Sequence, residues 1–119
     1  MHILIDIYIK GKNQKAVCVL SGIVNENIVT DMSGLSNNQC EWMAVVQAMD
    51  IISGNEYSGV NIHIDSLLVY RQINFINHIK NKDLKQIYFE WNRYKNILSG
   101  TEIDYKYISG HENPAREHI

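Results

Sequence analysis

The sequence predicts a single α/β domain that spans residues 1–119. Apolar residues first alternate with a period of two, which is typical of strands, and later recur at helical spacing between further strand-like segments. A chain of 119 residues and 13.8 kDa is the size of one compact domain. With 45% hydrophobic and 20% charged residues, its composition excludes disordered, collagen-like and coiled-coil architectures.

The first strand is predicted over His2–Lys10, where isoleucines at every second position define one face. Leu4 and Tyr8 lie on the other face, which predicts a central strand covered on both sides. Asp6 would then be a carboxylate in an energetically expensive place. Gly11–Asn13 is expected to form the turn that follows.

Two more strands and a long helix are predicted next. Short polar connections join the first strand to Ala16–Gly22 and that segment to Ile28–Met32, which indicates an antiparallel meander of three strands. Ser36 and Gln39 have the spacing of a helix capping box. The apolar residues of Trp42–Ile52 then recur at helical spacing, so we expect a largely buried helix.

The second half alternates helices and strands. Val60–Asp65 alternates as a strand, and Leu67 to about Ile76 reads as a helix. Asp83 and Gln86 repeat the capping-box spacing before a third helix, which closes at Gly100. The apolar stripe of this helix comprises Leu84, Ile87, Tyr88, Trp91, Tyr94, Ile97 and Leu98.

The end of the sequence predicts one more strand and a short helix. The strand covers Glu102–Ile108. Asn113 followed by Pro114 fits a helix start, because asparagine is a good cap and proline is tolerated at the first helical position. The complete predicted order is strand, strand, strand, helix, strand, helix, helix, strand, short helix.

Charge and cysteine content limit the functional classes. The net charge is −2, so bulk electrostatics do not indicate nucleic-acid binding and any basic surface must be local. No apolar run reaches the roughly 20 residues of a membrane span. Cys18 and Cys40 cannot form a disulfide framework. We therefore expect a soluble protein in a reducing, cytoplasmic compartment, with a monomer slightly favoured.

Four acids stand at special places in these elements: Asp6 in the first strand, Glu41 in the first turn of the first helix, Asp65 at the end of the fourth strand, and Glu117 in the last helix. If the first and fourth strands are neighbours and the helix crosses them, three carboxylates converge. They would repel one another unless cations bridged them, and Mg²⁺ prefers oxygen ligands.

Two segments carry a resemblance to a known family. Asn37–Ala44 resembles the Asn-Asn-x-x-Glu-Leu-Met-Ala segment of the ribonuclease H family, and Ile62–Ser66 is similar to that family's strand ending in Asp-Ser. The likeness extends from Ile3 to Glu117. It implies a mixed five-stranded sheet, three antiparallel strands and then two parallel additions, flanked by helices. Where the family commonly has Gly-Ser after its first aspartate, Asp6 is followed by four residues and then a glycine.

The resemblance also implies an activity, a cofactor and a set of site residues. The reaction would be hydrolysis of the RNA strand of RNA/DNA hybrids with two Mg²⁺ ions, for which Mn²⁺ is a possible substitute. The implied metal ligands and catalytic acids are Asp6, Glu41, Asp65 and Glu117. The implied catalytic histidine is His111. The implied substrate contacts are Asn38 in the minor groove and Lys80, Lys82 and Lys85 as a basic handle.

Other interpretations of the same residues remain open. Asp6 could be satisfied by backbone donors or a lysine, Glu41 could interact only with the helix dipole, and Asp65 could be only a helix cap. The lysines could form a solvated helix face, and the tryptophans and tyrosines at helical spacing favour core packing. A catalytically weak or inactive binding or interaction module, and a nuclease acting on structured DNA, are the alternative functions.

Overall fold

The computed structural model describes residues 4–75 and 82–119. Its elements run in the order β1 (Leu4–Lys12), β2 (Lys15–Gly22), β3 (Glu26–Asp31), α1 (Asn37–Ser53), β4 (Gly59–Ile64), α2 (Leu67–Phe75), α3 (Lys82–Ile97), β5 (Glu102–Tyr107) and two 3-10 turns (Gly110–Glu112 and Pro114–His118). The predicted sequence of elements is confirmed. The end of α2 expected at Ile76 and the substrate contact expected at Lys80 lie outside the described residues.

The five strands form one mixed sheet in the order β3-β2-β1-β4-β5. Strand β1 is antiparallel to β2 and parallel to β4, β2 is antiparallel to β3, and β4 is parallel to β5. This confirms the expected meander with two parallel additions. Because β1 and β4 are adjacent and parallel, their carboxyl ends lie side by side at one edge of the sheet. This edge positions the site described below.

Strand β1 alternates as expected between a fully buried face and a less buried one. Ile5, Ile7 and Ile9 are buried in the core. The expectation that the second face is also covered is wrong at its amino end, where Leu4 is 66% exposed and the side chain of Asp6 is 42% exposed. Water therefore reaches this carboxylate, and its place in the strand is less costly than the sequence suggested.

The first hairpin turns at Asn13 and Gln14, not at Gly11–Asn13 as predicted. Both residues have positive φ, 53° and 58°, and β1 and β2 pair up to Lys12 and Lys15. Gly11 belongs to the strand, where it pairs with Ala16. Helix α1 approaches it so closely that a Cβ atom at this position would overlap the backbone of Cys40 and Glu41. The glycine thus serves a close approach of backbones and not a turn.

Helix α1 begins with the predicted capping box. The Ser36 hydroxyl accepts from the Gln39 N–H, and the Gln39 side chain accepts from the Ser36 N–H. The helix packs against β1 and α3, and it buries Trp42 completely. Its first turn is therefore fixed over the end of β1 by both capping and packing.

The aromatic residues of α1, α3 and β5 form a cluster in the core. Trp42 packs edge-on against Trp91 and Tyr88, and Trp91 donates a hydrogen bond from Nε1 to the Tyr105 hydroxyl over 3.1 Å. The prediction that these side chains pack in the core is confirmed. Among the described residues, no helix is both long and apolar enough to cross a membrane.

Candidate functional site

Lys10, at the carboxyl end of β1, lies between two buried carboxylates. Its Nζ atom is 2.5 Å from Glu41 Oε1 and 2.8 Å from Asp65 Oδ1. The exposed side-chain fractions are 15% for Lys10, 5% for Glu41 and 3% for Asp65. The three side chains form a largely buried group with two negative charges and one positive charge.

Strand register and one glycine bring these residues together. Ile9 pairs with Ile64 across β1 and β4, so the next residues along the two parallel strands, Lys10 and Asp65, are neighbours. Gly11 lets the first turn of α1 rest on the end of β1, which carries Glu41 to the same point. The convergence of Glu41 with Asp65 is the part of the predicted acid cluster that the structure contains.

Asn113 completes the group from the carboxyl-terminal segment. Its Nδ2 atom donates to Asp65 Oδ2 over 3.1 Å and to the Ile9 carbonyl over 2.9 Å. Its Oδ1 atom accepts from the Ala115 N–H and caps the second 3-10 turn, as the sequence predicted. Both oxygens of Asp65 are therefore engaged, one by an ammonium group and one by an amide.

Burial and charge shift the pKa values of this group in ways that fit one arrangement. Burial raises the pKa of Glu41 above its ordinary value, and this effect exceeds the opposite effect of Lys10. Burial alone would lower the pKa of Lys10, but its hydrogen bonds and charge interactions with Asp65 and Glu41 together raise it. Two carboxylates share one ammonium, so Lys10 stays charged while Glu41 is only partly compensated.

Asp6 does not join this group, and the prediction that it does is wrong. It lies four residues before Lys10 on the same strand, a separation of roughly 13 Å. Its Oδ1 atom is 2.9 Å from His63 Nε2 and accepts from Asn61 Nδ2 over 3.2 Å. The hydrogen bond to His63 is the main cause that lowers the pKa of Asp6 below its usual value. Tyr8 stacks on the His63 ring at 4.3 Å between centroids.

The other predicted site residues lie at the surface. Glu117 is exposed and, among the described residues, its side chain makes no ion pair or hydrogen bond with the buried group. It is Asn113, the cap of the 3-10 turn that carries Glu117, that donates a hydrogen bond to Asp65. The predicted metal-ligand role of Glu117 stays a prediction. His111 is exposed in the first 3-10 turn, where its N–H donates to the Ser109 hydroxyl. Its predicted catalytic role stays a prediction.

A shallow cavity of 340 Å³ adjoins the buried group. It is lined by Lys10, Gly11, Lys12, Asn37, Asn38, Glu41, Ser66 and Leu68. The lining includes the predicted substrate contact Asn38. Lys82 and Lys85 are exposed on α3 and do not line it. The cavity presents amides, amines and a hydroxyl, which are groups that can hydrogen-bond to sugars and phosphates.

The residues present do not fit the predicted pair of Mg²⁺ ions. Within residues 4–75 and 82–119, no group of three or more His, Cys, Asp or Glu side chains is arranged to hold a metal ion. Both oxygens of Glu41 are buried without a hydrogen bond of good geometry in that part of the chain. This is a feature that a cation ligand would show, but the cation beside Glu41 is the ammonium of Lys10.

Sequence reasoning missed Lys10 and identified Asn113 only as a cap. The signal for Lys10 was the glycine that follows it, because the family named above commonly has a glycine directly after its first aspartate. Aligned on Gly11, the position of that aspartate falls on Lys10 and not on Asp6. For Asn113 no sequence signal indicated that its side chain reaches Asp65.

A family model matches most of this sequence. The sequence matches the model of the RNase H family over residues 7–118. The matched range begins one residue after Asp6 and includes Lys10, Glu41, Asp65 and Asn113. No curated protein sequence gave a significant match.

Solved structures of low sequence identity share the fold. The N-terminal RNase H domain of a Mycobacterium tuberculosis protein, studied as a fusion with maltose-binding protein, has a TM-score of 0.77 at 16% identity, with 93% of this chain and 86% of that chain covered. RNase H1 from the archaeon Halobacterium salinarum has a TM-score of 0.73 at 15% identity, covering 97% and 91%. LC11-RNase H1 in complex with an RNA/DNA hybrid has a TM-score of 0.71 at 16% identity, covering 96% and 91%.

Proposed function

Because this chain belongs to the ribonuclease H family, we propose that it binds RNA/DNA hybrids. We also propose that it does not cleave them by the two-metal mechanism or otherwise. One observation carries the proposal: the ammonium of Lys10 lies 2.5 Å from Glu41 and 2.8 Å from Asp65. The family generally uses divalent metals. In this chain the ammonium of Lys10 instead contacts Glu41 and Asp65, the carboxylates that the resemblance identifies as metal ligands.

The charge balance argues against two divalent ions. Lys10, Glu41 and Asp65 together carry one net negative charge when all are ionised. Two Mg²⁺ ions would bring four positive charges next to an ammonium group, and each would need several oxygen ligands. Asp6, roughly 13 Å along β1, cannot supply them. Without the ions, this site lacks the groups that activate water and stabilise the leaving oxygen.

The surface beside the ion pairs supports binding of a duplex that contains RNA. Asn37 and Asn38 present side-chain amides at the amino end of α1, and Lys12 and Ser66 line the same cavity. Asn37 Oδ1 accepts from the Asn13 N–H, and within residues 4–75 and 82–119 no hydrogen bond is donated by its NH₂ group. Such donors suit the 2′-hydroxyls and phosphates of the wide minor groove. A protein of the same fold, LC11-RNase H1, is known in complex with an RNA/DNA hybrid.

The test measures binding and cleavage on the same samples. Labelled RNA/DNA hybrid, RNA duplex, DNA duplex and a DNA junction are titrated in EDTA, Mg²⁺ and Mn²⁺, with fluorescence anisotropy for binding and denaturing gels for cleavage. We expect the hybrid to bind in EDTA without any requirement for Mg²⁺ or Mn²⁺, and no duplex to be cut. Metal-dependent cleavage that disappears in Asp65→Asn would instead establish the two-metal nuclease.

A matched pair of variants locates the binding surface. Asn38→Ala removes an amide from the cavity and should weaken hybrid binding by about 1–2 kcal/mol, the range for a lost hydrogen bond to a polar ligand. Asn96→Ala makes the same change at an exposed position of α3 outside the cavity, and it should leave the affinity unchanged. Equal affinities of the two variants would show that the hybrid does not contact Asn38.

A further inference from the structure

We propose that Lys10 is the resident cation of this acidic site, so that the wild-type protein folds and holds Glu41 and Asp65 together without a divalent metal. The inference deepens the proposed function, because it rests on the same site. It predicts in addition that exchanging Lys10 for an aspartate creates a divalent-cation site.

The ammonium of Lys10 bridges the two acids. Lys10 Nζ is within ion-pair distance of both carboxylates at once. A lysine side chain loses conformational entropy and hydration when it is buried, and an exposed ion pair rarely compensates for that loss. Lys10 is nevertheless only 15% exposed. The geometry is that of a cation bridging two acids, which is the arrangement that a bound metal ion would otherwise provide.

Burying the two carboxylates without a cation would be unfavourable. Glu41 and Asp65 are almost fully buried, and two buried like charges are strongly unfavourable without a compensating cation. In the described part of the chain, no other lysine or arginine forms an ion pair with either of them. Lys10 therefore carries the compensation by itself.

Both oxygens of Asp65 already have partners. Asp65 Oδ1 faces Lys10, and Asp65 Oδ2 accepts from Asn113 Nδ2. A divalent ion would have to displace the ammonium from Glu41 and Asp65. It would then share Asp65 with the neutral side-chain amide of Asn113. With Lys10 present, both carboxylates face an ammonium group that would repel a divalent ion, so Mg²⁺ or Mn²⁺ would have to displace it first.

The experiment compares wild type, Lys10→Asp and Lys12→Asp in the absence of nucleic acid. Thermal unfolding is followed in EDTA and in increasing Mn²⁺ or Mg²⁺, and metal binding is measured by calorimetry. Lys12→Asp is the control, because Lys12 is an exposed lysine that lines the same cavity on the same strand, and the change in charge is identical.

The expected result is a gain of metal response in one variant only. For wild type and for Lys12→Asp, the Tm of each protein should not differ between EDTA and Mn²⁺. Calorimetry should detect no saturable heat of metal binding for either protein. Lys10→Asp should have a lower Tm in EDTA, and saturating Mn²⁺ should raise it by about 8 °C with one-to-one stoichiometry. Saturable binding of Mn²⁺ by wild type, or an equal metal response of the two variants, would overturn the inference.

A measurement on the wild type alone keeps the inference testable if Lys10→Asp does not fold. Amine acylation under native conditions, read by mass spectrometry, should modify Lys10 at least tenfold more slowly than Lys12, in EDTA and in Mn²⁺ alike, because its ammonium is buried against two carboxylates. Equal rates, or a rate at Lys10 that rises with Mn²⁺, would overturn the inference. Neither experiment contains nucleic acid, so a failure of hybrid binding is distinguishable from a failure here.

Discussion

Asn113 uses every polar atom of its side chain to join the carboxyl-terminal segment to the site. It donates to Asp65 and to the Ile9 carbonyl, and it accepts from the Ala115 N–H. Asn113→Ala should lower the free energy of unfolding by roughly 2–3 kcal/mol, because it leaves buried groups unpaired and removes a cap. Urea unfolding beside Asn96→Ala, an exposed asparagine, checks this; equal stabilities of the two variants would contradict it.

Asp6 offers the sharpest contrast between the sequence and the structure at the scale of one residue. Its pKa is lowered mainly by the hydrogen bond to His63, so the stabilisation it gives is present above pH 3.8, its ordinary value, and is lost as the pH falls through the lower folded value. Because the side chain is 42% exposed, Asp6→Asn should cost under about 1 kcal/mol at pH 7. The free energies of unfolding of wild type and Asp6→Asn, measured from pH 2 to 7, should become equal at the acid end. A difference that persists there would contradict this assignment.

At the scale of elements, Gly11 sets the distance between β1 and α1. A Cβ atom there would overlap the backbone of Cys40 and Glu41, so Gly11→Ala should destabilise the fold by about 3 kcal/mol or more. Gly100→Ala is the matched control: a Cβ atom has nothing within 4 Å there and the φ angle is not positive, so stability should stay within about 0.5 kcal/mol. Similar unfolding midpoints for the two variants would show that α1 shifts to admit the methyl group.

The elements could be predicted from the sequence because their signals are local. The alternation in β1, the Ser36–Gln39 capping box and the Asn113 cap each act within a few residues, and all three are confirmed. The site depends on register, which is not local. Whether Asp6 or Lys10 meets Asp65 is decided by the pairing of β1 with β4, and both residues occupy the same face of β1. Periodicity alone could not separate them.

At the scale of the whole molecule, hybrid binding should depend on salt through a small number of lysine–phosphate contacts. The net charge is −2, and Lys10 is neutralised by Glu41 and Asp65. If Lys12, Lys82 and Lys85, which are exposed, each contact one phosphate, the slope of log K against log salt should be about −3.

Anisotropy titrations between 50 and 300 mM NaCl measure that slope, and Lys85→Ala should make it less steep by about one unit without changing the preference for hybrid over DNA duplex. The reason is that phosphate contacts position a duplex, whereas the amides beside the 2′-hydroxyls distinguish RNA from DNA. A slope unchanged by Lys85→Ala would show that no bound phosphate contacts Lys85. A lost preference would mean that this lysine takes part in the discrimination itself.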